Sequence, residues 1–383
     1  MRIVRLDGSP AAVEVLVDAI AATLDGGPAV LPLGPGAAVP EVPEVPPEPG
    51  VLVATSGSTG EPRLVALPVD ALRASATATA ARLGGPARWL LALPAEHVAG
   101  VQVVVRALLA GAPPVLQDLR SGFRPADFAA ATAALGPGRR CTSLVPTQLL
   151  RLLDAGGPAL DALRGYAAVL VGGAALDPGL RARAEAAGVR VVATYGMTET
   201  AGGCVYDGVP LDGVRVRLDG TGRIVLGGPT LAAGYLGRPA DTAAAFGTDA
   251  DGRHEFRTGD LGRFVDGRLE VLGRADDVIV TGGEKVVPAA VERVLAAQPG
   301  VRAACVVGLP DAEWGAIVAA AVVADPVADP DRLRAAVREA LGRAAAPRIV
   351  QTVDALPLRG IGKPDRIAVG RLLSAVSRSR PAG

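Results

Sequence analysis

The chain has 383 residues, enough for one large domain and a smaller one rather than a single domain of ordinary size. Its 39 basic and 39 acidic residues cancel, so no basic field points to nucleic acid or an anionic membrane as partner. Cys141, Cys204 and Cys305 are an odd, scattered set that forms neither a disulfide framework nor a zinc pattern, and they fit a reducing cytoplasm.

In chain order, residues 1–33 suggest a strand at Arg2–Leu6, a helix at Ala11–Leu24 and a further short strand. The Pro-rich stretch Gly34–Gly50 reads as an extended surface loop, because proline fixes φ and removes a donor. From Val51 onwards, apolar runs of strand length (Val51–Ala54, Trp89–Ala92, Thr142–Val145, Ala168–Val171, Arg190–Ala193) alternate with helical patterns (Ala71–Leu83, Val98–Ala110, Pro125–Leu135, Thr147–Ala155, Pro178–Ala187). This alternation predicts an α/β domain with much parallel sheet and flanking helices. Val98–Ala110 is the most apolar stretch; Gln102 and Arg106 interrupt it and it is too short to span a bilayer, so no membrane insertion is expected. No signal-peptide pattern is seen at the start. Residues 204–273 are rich in glycine and short β runs and read as a small antiparallel, barrel-like subdomain. After Arg274 the pattern changes to a compact α+β domain: helix Pro288–Ala297, strands Ala303–Val307 and Ile317–Val323, helix Asp331–Leu341 and strand Arg348–Val353. The expected division is 1–274 and 275–383.

Thr55-Ser56-Gly57-Ser58-Thr59-Gly60-Glu61-Pro62-Arg63 follows a predicted strand. Glycines let a backbone approach an anion closely, and N–H groups with hydroxyls can cradle phosphates. The loop is not a Walker A sequence, and no G-x-G-x-x-G follows a strand, so neither a P-loop nor a Rossmann dinucleotide site is supported.

That loop resembles the phosphate signature of the adenylate-forming superfamily of acyl-CoA synthetases, adenylation domains and luciferases, with Arg63 where the family usually has lysine. Six further segments, in family order, resemble its motifs: Gly172-Gly173-Ala174-Ala175, Tyr195-Gly196-Met197-Thr198-Glu199, Phe256-Arg257-Thr258-Gly259-Asp260, Gly273-Arg274-Ala275-Asp276-Asp277, Thr281-Gly282-Gly283-Glu284-Lys285-Val286 and Gly360-Ile361-Gly362-Lys363. The resemblance covers residues 51–366. It implies ATP, Mg²⁺ and coenzyme A as substrates and cofactor, with Thr55–Gly60 and Arg63 on phosphate. Gly172, Gly173, Ala174, Tyr195 and Gly196 would lie by adenine, Thr198 on phosphate and Glu199 on the metal. Asp260 would hold ribose, Arg274 ribose and phosphate, and Asp276 the hinge. Gly282, Gly283 and Lys285 would form the loop of the thioester step. Lys363 would bridge the attacking carboxylate and the α-phosphate. The chain has no asparagine, and Lys285 and Lys363 are the only lysines among its 39 basic residues, yet both fall inside these motifs.

Glu96-His97-Val98-Ala99-Gly100, Ser143–Leu149 and Gly202–Gly208 resemble the o-succinylbenzoate–CoA ligase branch, which acts in menaquinone biosynthesis. On that likeness His97, Thr147, Val171 and Gly196 would line the acyl pocket, and Arg106, Arg139 or Arg140 would pair with a second carboxylate. Compared with the family, the segment ahead of the phosphate loop is short. Two alternatives stay open: an adenylation enzyme loading an aryl or short acyl acid onto a carrier protein, and a non-catalytic relic of the fold. The oligomeric state is left open, a homodimer included.

Overall fold

The computed structural model describes residues 1–40, 50–56, 62–325, 328–359 and 363–379. It is a mixed α/β protein. The chain divides into two compact units: Met1–Arg217 with Val225–Thr258 and Asp266–Leu269, and Leu218–Ile224 with Gly259–Val265 and Glu270–Gly383.

The central sheet of the first unit runs Val209–Pro210, Gly202–Tyr206, Val191–Met197, Ala168–Val171, Arg140–Leu144, Arg88–Leu91, Val115–Leu116. Its last five strands pair in parallel, and Gly202–Tyr206 turns back antiparallel on Val191–Met197. Strand and helix alternate because Ala168–Val171 and most of Arg140–Leu144 are buried and need a helical crossover to stay parallel. With few aromatics, one face is filled by Leu90, Leu144, Leu149, Leu163 and Val169 around the Phe128–Tyr166 pair, 5.8 Å between centroids. The buried Tyr166 hydroxyl shares a 2.8 Å hydrogen bond with Thr132, which keeps a polar tip satisfied in that core.

A second sheet runs Arg2–Arg5, Val30–Leu33, Gly50–Ser56, Pro62–Pro68, Gly234–Tyr235. Gly50–Ser56 and Pro62–Pro68 form an antiparallel hairpin with Ser56 opposite Pro62, and the phosphate-loop residues Gly57, Ser58, Thr59 and Gly60 between them lie outside the described residues. Part of the expected Pro-rich loop, 41–49, lies outside them too.

The 204–273 segment does not close on itself as a barrel. Gly202–Tyr206 joins the central sheet and Gly234–Tyr235 the second sheet, while Arg215–Leu218, Arg223–Gly227, His254–Val265, Phe246–Thr248 and Arg268–Arg274 form a third. Alternating apolar residues mark a strand, but which partner it pairs with depends on segments far away in sequence.

In the second unit, Val301–Asp311 and Gly315–Ala324 pair antiparallel, and Ile349–Thr352 adds in parallel. Alternate residues face opposite ways. Val306, Val318, Ala320 and Val322 meet Val291, Leu295, Leu333 and Val337 of the helices Pro288–Ala296 and Pro330–Leu341. Cys305, Val307, Ala319 and Ala321 meet Val369 and Leu373 of a helix, Arg366–Ser379, that the sequence reading does not include. Arg366 anchors that helix. Its guanidinium donates to Glu292 Oε1 at 2.6 Å and Val306 O at 2.6 Å, and lies 3.1 Å from Asp277. No described helix is long and apolar enough to cross a membrane.

Candidate active site

In the first unit His97, Thr147, Val171, Gly172, Gly173, Ala174, Tyr195, Gly196, Thr198 and Glu199 follow or end parallel strands, at the carboxyl ends where open α/β sheets bind ligands, while Thr55 and Arg63 lie on the hairpin of the second sheet. His97 follows Arg88–Leu91 and is the exposed N-cap of helix Val98–Leu109. Thr147 follows Arg140–Leu144 and is exposed in the first turn of Pro146–Ala155. Val171, 1% exposed, ends Ala168–Val171, and Gly172, Gly173 and Ala174 come next. Tyr195 and Gly196 end Val191–Met197, and Thr198 and Glu199 form the one-turn helix beyond it.

Glycine is required where these strands crowd. A Cβ on Gly172 would sit 2.3 Å from Thr194 Oγ1, and one on Gly196 would sit 2.1 Å from the Gly202 carbonyl oxygen. The turn after Glu199 is fixed by Thr200. The Met197 N–H donates to its hydroxyl at 2.9 Å, and that hydroxyl reaches the Gly202 carbonyl at 2.8 Å. Ala201 takes a left-handed conformation, φ 49°, and its carbonyl accepts from Ser75 Oγ at 3.0 Å. The Glu199 carbonyl accepts from Ala232 N at 2.9 Å. The main chain carrying Glu199 is thus held on both sides.

Glu199 Oε1 accepts a 2.8 Å hydrogen bond from the hydroxyl of Tyr235. Tyr235 faces Val65 in the second sheet, so it is the diagonal neighbour of Arg63 on the same sheet face. The Arg63 guanidinium lies 5.2 Å from the Tyr235 ring centroid, and its Nε lies 3.6 Å from Asp241. That Nε is buried and makes no hydrogen bond to a described atom, with the Asp241 carboxylate as its ion-pair partner. Thr55 Oγ1 donates to the Arg63 carbonyl at 3.3 Å and ties the two ends of the hairpin together. Burial first, then the charge of Glu199, holds the Tyr235 phenol above its ordinary range, so it stays a donor at neutral pH.

Tyr235 is the site residue the sequence reading passes over. It sits 36 residues from Glu199, and nothing local distinguishes its Gly-Tyr pair from any short strand. Arg106, a candidate for a second carboxylate, is buried, lies 5.3 Å from the Trp89 ring centroid and donates to Tyr206 at 3.3 Å. Cys204 is fully buried and its thiol is pushed up to about 12 by that burial, so it is a core residue, not a nucleophile.

The remaining predicted residues belong to the second unit. Asp260 lies 3.6 Å from Arg274, which also reaches Asp276 at 3.5 Å. Asp276 stands in the one-turn helix Ala275–Asp277 with its side chain exposed. Gly282 and Gly283, both at positive φ, form the tip between Ile279–Thr281 and Glu284–Val286, and Lys285 is exposed beside them. The Gly282 N–H donates to the Trp314 carbonyl at 3.0 Å, and a Cβ on Gly282 would meet the Trp314 ring at 2.6 Å. The backbone of Lys363 pairs with Arg359.

Among the described residues no group of three or more His, Cys, Asp or Glu forms a ready-made metal cage. A single carboxylate, Glu199, fits Mg²⁺, which is bound through one or two carboxylates together with substrate phosphates.

Residues 7–236 match the family profile described as AMP-binding enzyme, and residues 290–363 match the AMP-binding enzyme C-terminal domain. A probable 2-succinylbenzoate–CoA ligase of Mycobacterium tuberculosis is 47% identical over 84% of this chain and 84% of its own. A 2-succinylbenzoate–CoA ligase of Geobacillus kaustophilus is 34% identical over 96% of this chain and 80% of its own. Among solved structures, the Bacillus subtilis o-succinylbenzoate CoA synthetase in complex with its acyl-adenylate intermediate superposes with TM-score 0.72 at 28% identity, over 83% of this chain and 68% of that one.

Proposed function

This chain belongs to the AMP-binding enzyme family, and we propose that it is an acid–thiol ligase converting o-succinylbenzoate, ATP and coenzyme A to o-succinylbenzoyl-CoA, AMP and pyrophosphate. The observation that carries this reading is the 47% identity, over most of both chains, to a relative named for that reaction. The site geometry fits it: the cation of Arg63, beside the phosphate hairpin, and the carboxylate of Glu199 both meet Tyr235.

In the first half-reaction a carboxylate oxygen of the acid attacks the α-phosphorus of ATP and pyrophosphate leaves. Catalysis there is positioning and charge stabilisation. Thr55, Ser56, Gly57, Ser58, Thr59, Gly60, Arg63 and Thr198 hold the phosphates, with Tyr195, Gly172, Gly173 and Ala174 on adenine and Asp260 and Arg274 on ribose. Mg²⁺ on Glu199 neutralises phosphate charge when bound. Lys363 supplies the cation for charge that develops at the reacting oxygens, a task suited to a compact ammonium on a flexible stem. His97, Thr147, Val171 and Gly196 shape the acid pocket. In the second half-reaction the thiol loses its proton, its sulfur attacks the acyl carbon and AMP leaves. The 275–383 segment serves the two steps in turn, Lys363 in the first and the Gly282–Gly283 tip with Lys285 in the second, with Asp276 as hinge.

The test is pyrophosphate release with MgATP and coenzyme A across o-succinylbenzoate, benzoate, 2,3-dihydroxybenzoate, acetate and a medium-chain fatty acid. We expect release dependent on o-succinylbenzoate and a coenzyme A thioester by mass, formed with no carrier protein. Release with another acid of the panel and not with o-succinylbenzoate would overturn the substrate. Release without thioester would favour the carrier-loading alternative.

Gly282→Ala checks the thioester step. A Cβ there meets the Trp314 ring and forces a left-handed backbone on alanine, a strain of about 1–3 kcal/mol. Thioester formation from pre-formed acyl-AMP should fall about tenfold, a ~1.4 kcal/mol effect, with pyrophosphate release in the first step retained. Equal losses in both steps would argue against a role confined to the second.

A further inference from the structure

The metal carboxylate, Tyr235 and the phosphate hairpin form one connected unit. The hydroxyl of Tyr235 donates to Glu199 Oε1 at 2.8 Å, and among the described residues this is the one hydrogen bond its carboxylate accepts. Tyr235 is itself held firmly. Its backbone pairs with Val65, and its N–H donates to Thr242 Oγ1 at 2.9 Å, while Thr242 in turn donates to the Arg238 carbonyl at 2.9 Å. Gly234 permits this closeness, since a Cβ there would lie 2.5 Å from the Thr242 methyl. Phe246 supports the ring edge-on at 5.7 Å between centroids, and Arg63 covers it.

A carboxylate that binds a metal through one oxygen depends on what its other oxygen accepts, because that bond sets its rotamer and orientation. We propose that Tyr235 is a positioning residue for adenylation: its hydroxyl occupies Glu199 Oε1 and so presents Oε2 to the metal that accompanies ATP. The same ring sits beneath Arg63, so the cation at the phosphate hairpin and the metal carboxylate share one support. A purely structural tyrosine would need neither the carboxylate contact nor a hydroxyl. This inference rests on the reading of Glu199 as metal ligand.

The experiment uses the full chain with Mn²⁺ as probe and α,β-methylene-ATP, which the enzyme cannot cleave. Bound Mn²⁺ is followed by electron paramagnetic resonance in the starting protein, Tyr235→Phe, Glu199→Gln and the double variant. Tyr235→Phe keeps the ring and its contacts, and its thermal unfolding transition should stay close to that of the starting protein. We expect Glu199→Gln to weaken Mn²⁺ binding, Tyr235→Phe to weaken it about tenfold, within the range for outer partners of metal ligands, and the double variant to add little to Glu199→Gln. The Mg²⁺ concentration for half-maximal pyrophosphate release should rise by a similar factor in Tyr235→Phe. Unchanged Mn²⁺ binding in Tyr235→Phe, with a loss in Glu199→Gln, overturns the role of Tyr235 alone. Fully additive losses in the double variant also overturn it. Unchanged binding in Glu199→Gln overturns the metal-ligand reading and this inference with it.

Discussion

Lys363→Ala should lower pyrophosphate release with MgATP and acid by about 10²–10³-fold, the loss seen when one preorganised donor to developing charge is removed. Thioester formation from supplied acyl-AMP should survive, because on the proposed reading Lys363 serves the first step and the Gly282–Gly283 tip serves the second. The contrast between the two half-reactions is the diagnostic. Arginine accounts for nearly every other cation in this chain, so the lysine at this position departs from its general usage. Lys363→Arg sharpens the test: charge alone would restore release, whereas a requirement for a compact ammonium would leave it low. Equal losses in both half-reactions would place Lys363 outside the adenylation step.

Gly196→Ala should cost about 1–3 kcal/mol of stability, read from the denaturant midpoint, since its Cβ would lie 2.1 Å from Gly202 O and 2.7 Å from Gly203 Cα. Both neighbours are backbone of the paired strand, so no side chain can swing aside. The strands Val191–Met197 and Gly202–Tyr206 must separate, and they carry Tyr195 and the turn that holds Glu199. A displacement of about 1 Å there should lower adenylation about 10²-fold. Gly220→Ala is the control, because nothing lies within 4 Å of its Cβ and its backbone is open to alanine. Identical stability and activity in the two variants would refute the account of Gly196.

The two glycines show how site and fold are linked. Gly172 and Gly196 read in the sequence as parts of binding motifs. In the structure each is also a packing requirement, one against Thr194 and the other against Gly202.

Local sequence by itself determined most of the alternation of strands and helices from Trp89 to Met197, because buried parallel strands need continuous apolar runs and their crossovers need amphipathic helices; the strands Pro62–Pro68 and Val115–Leu116 and the helix Gly157–Arg164 are not read from it. It also determined the motif residues at the strand ends, since glycines, hydroxyls and a carboxylate in fixed order need no partner to be recognised. Tertiary structure alone decided where Gly202–Tyr206 and Gly234–Tyr235 pair, so the expected barrel does not form. It alone brought Tyr235 to Glu199 and under Arg63, and Arg366 to Glu292 and Asp277. These contacts join segments tens to more than a hundred residues apart. Their strength lies in geometry set by long-range strand pairing and burial, which leaves no periodic or compositional trace along the chain.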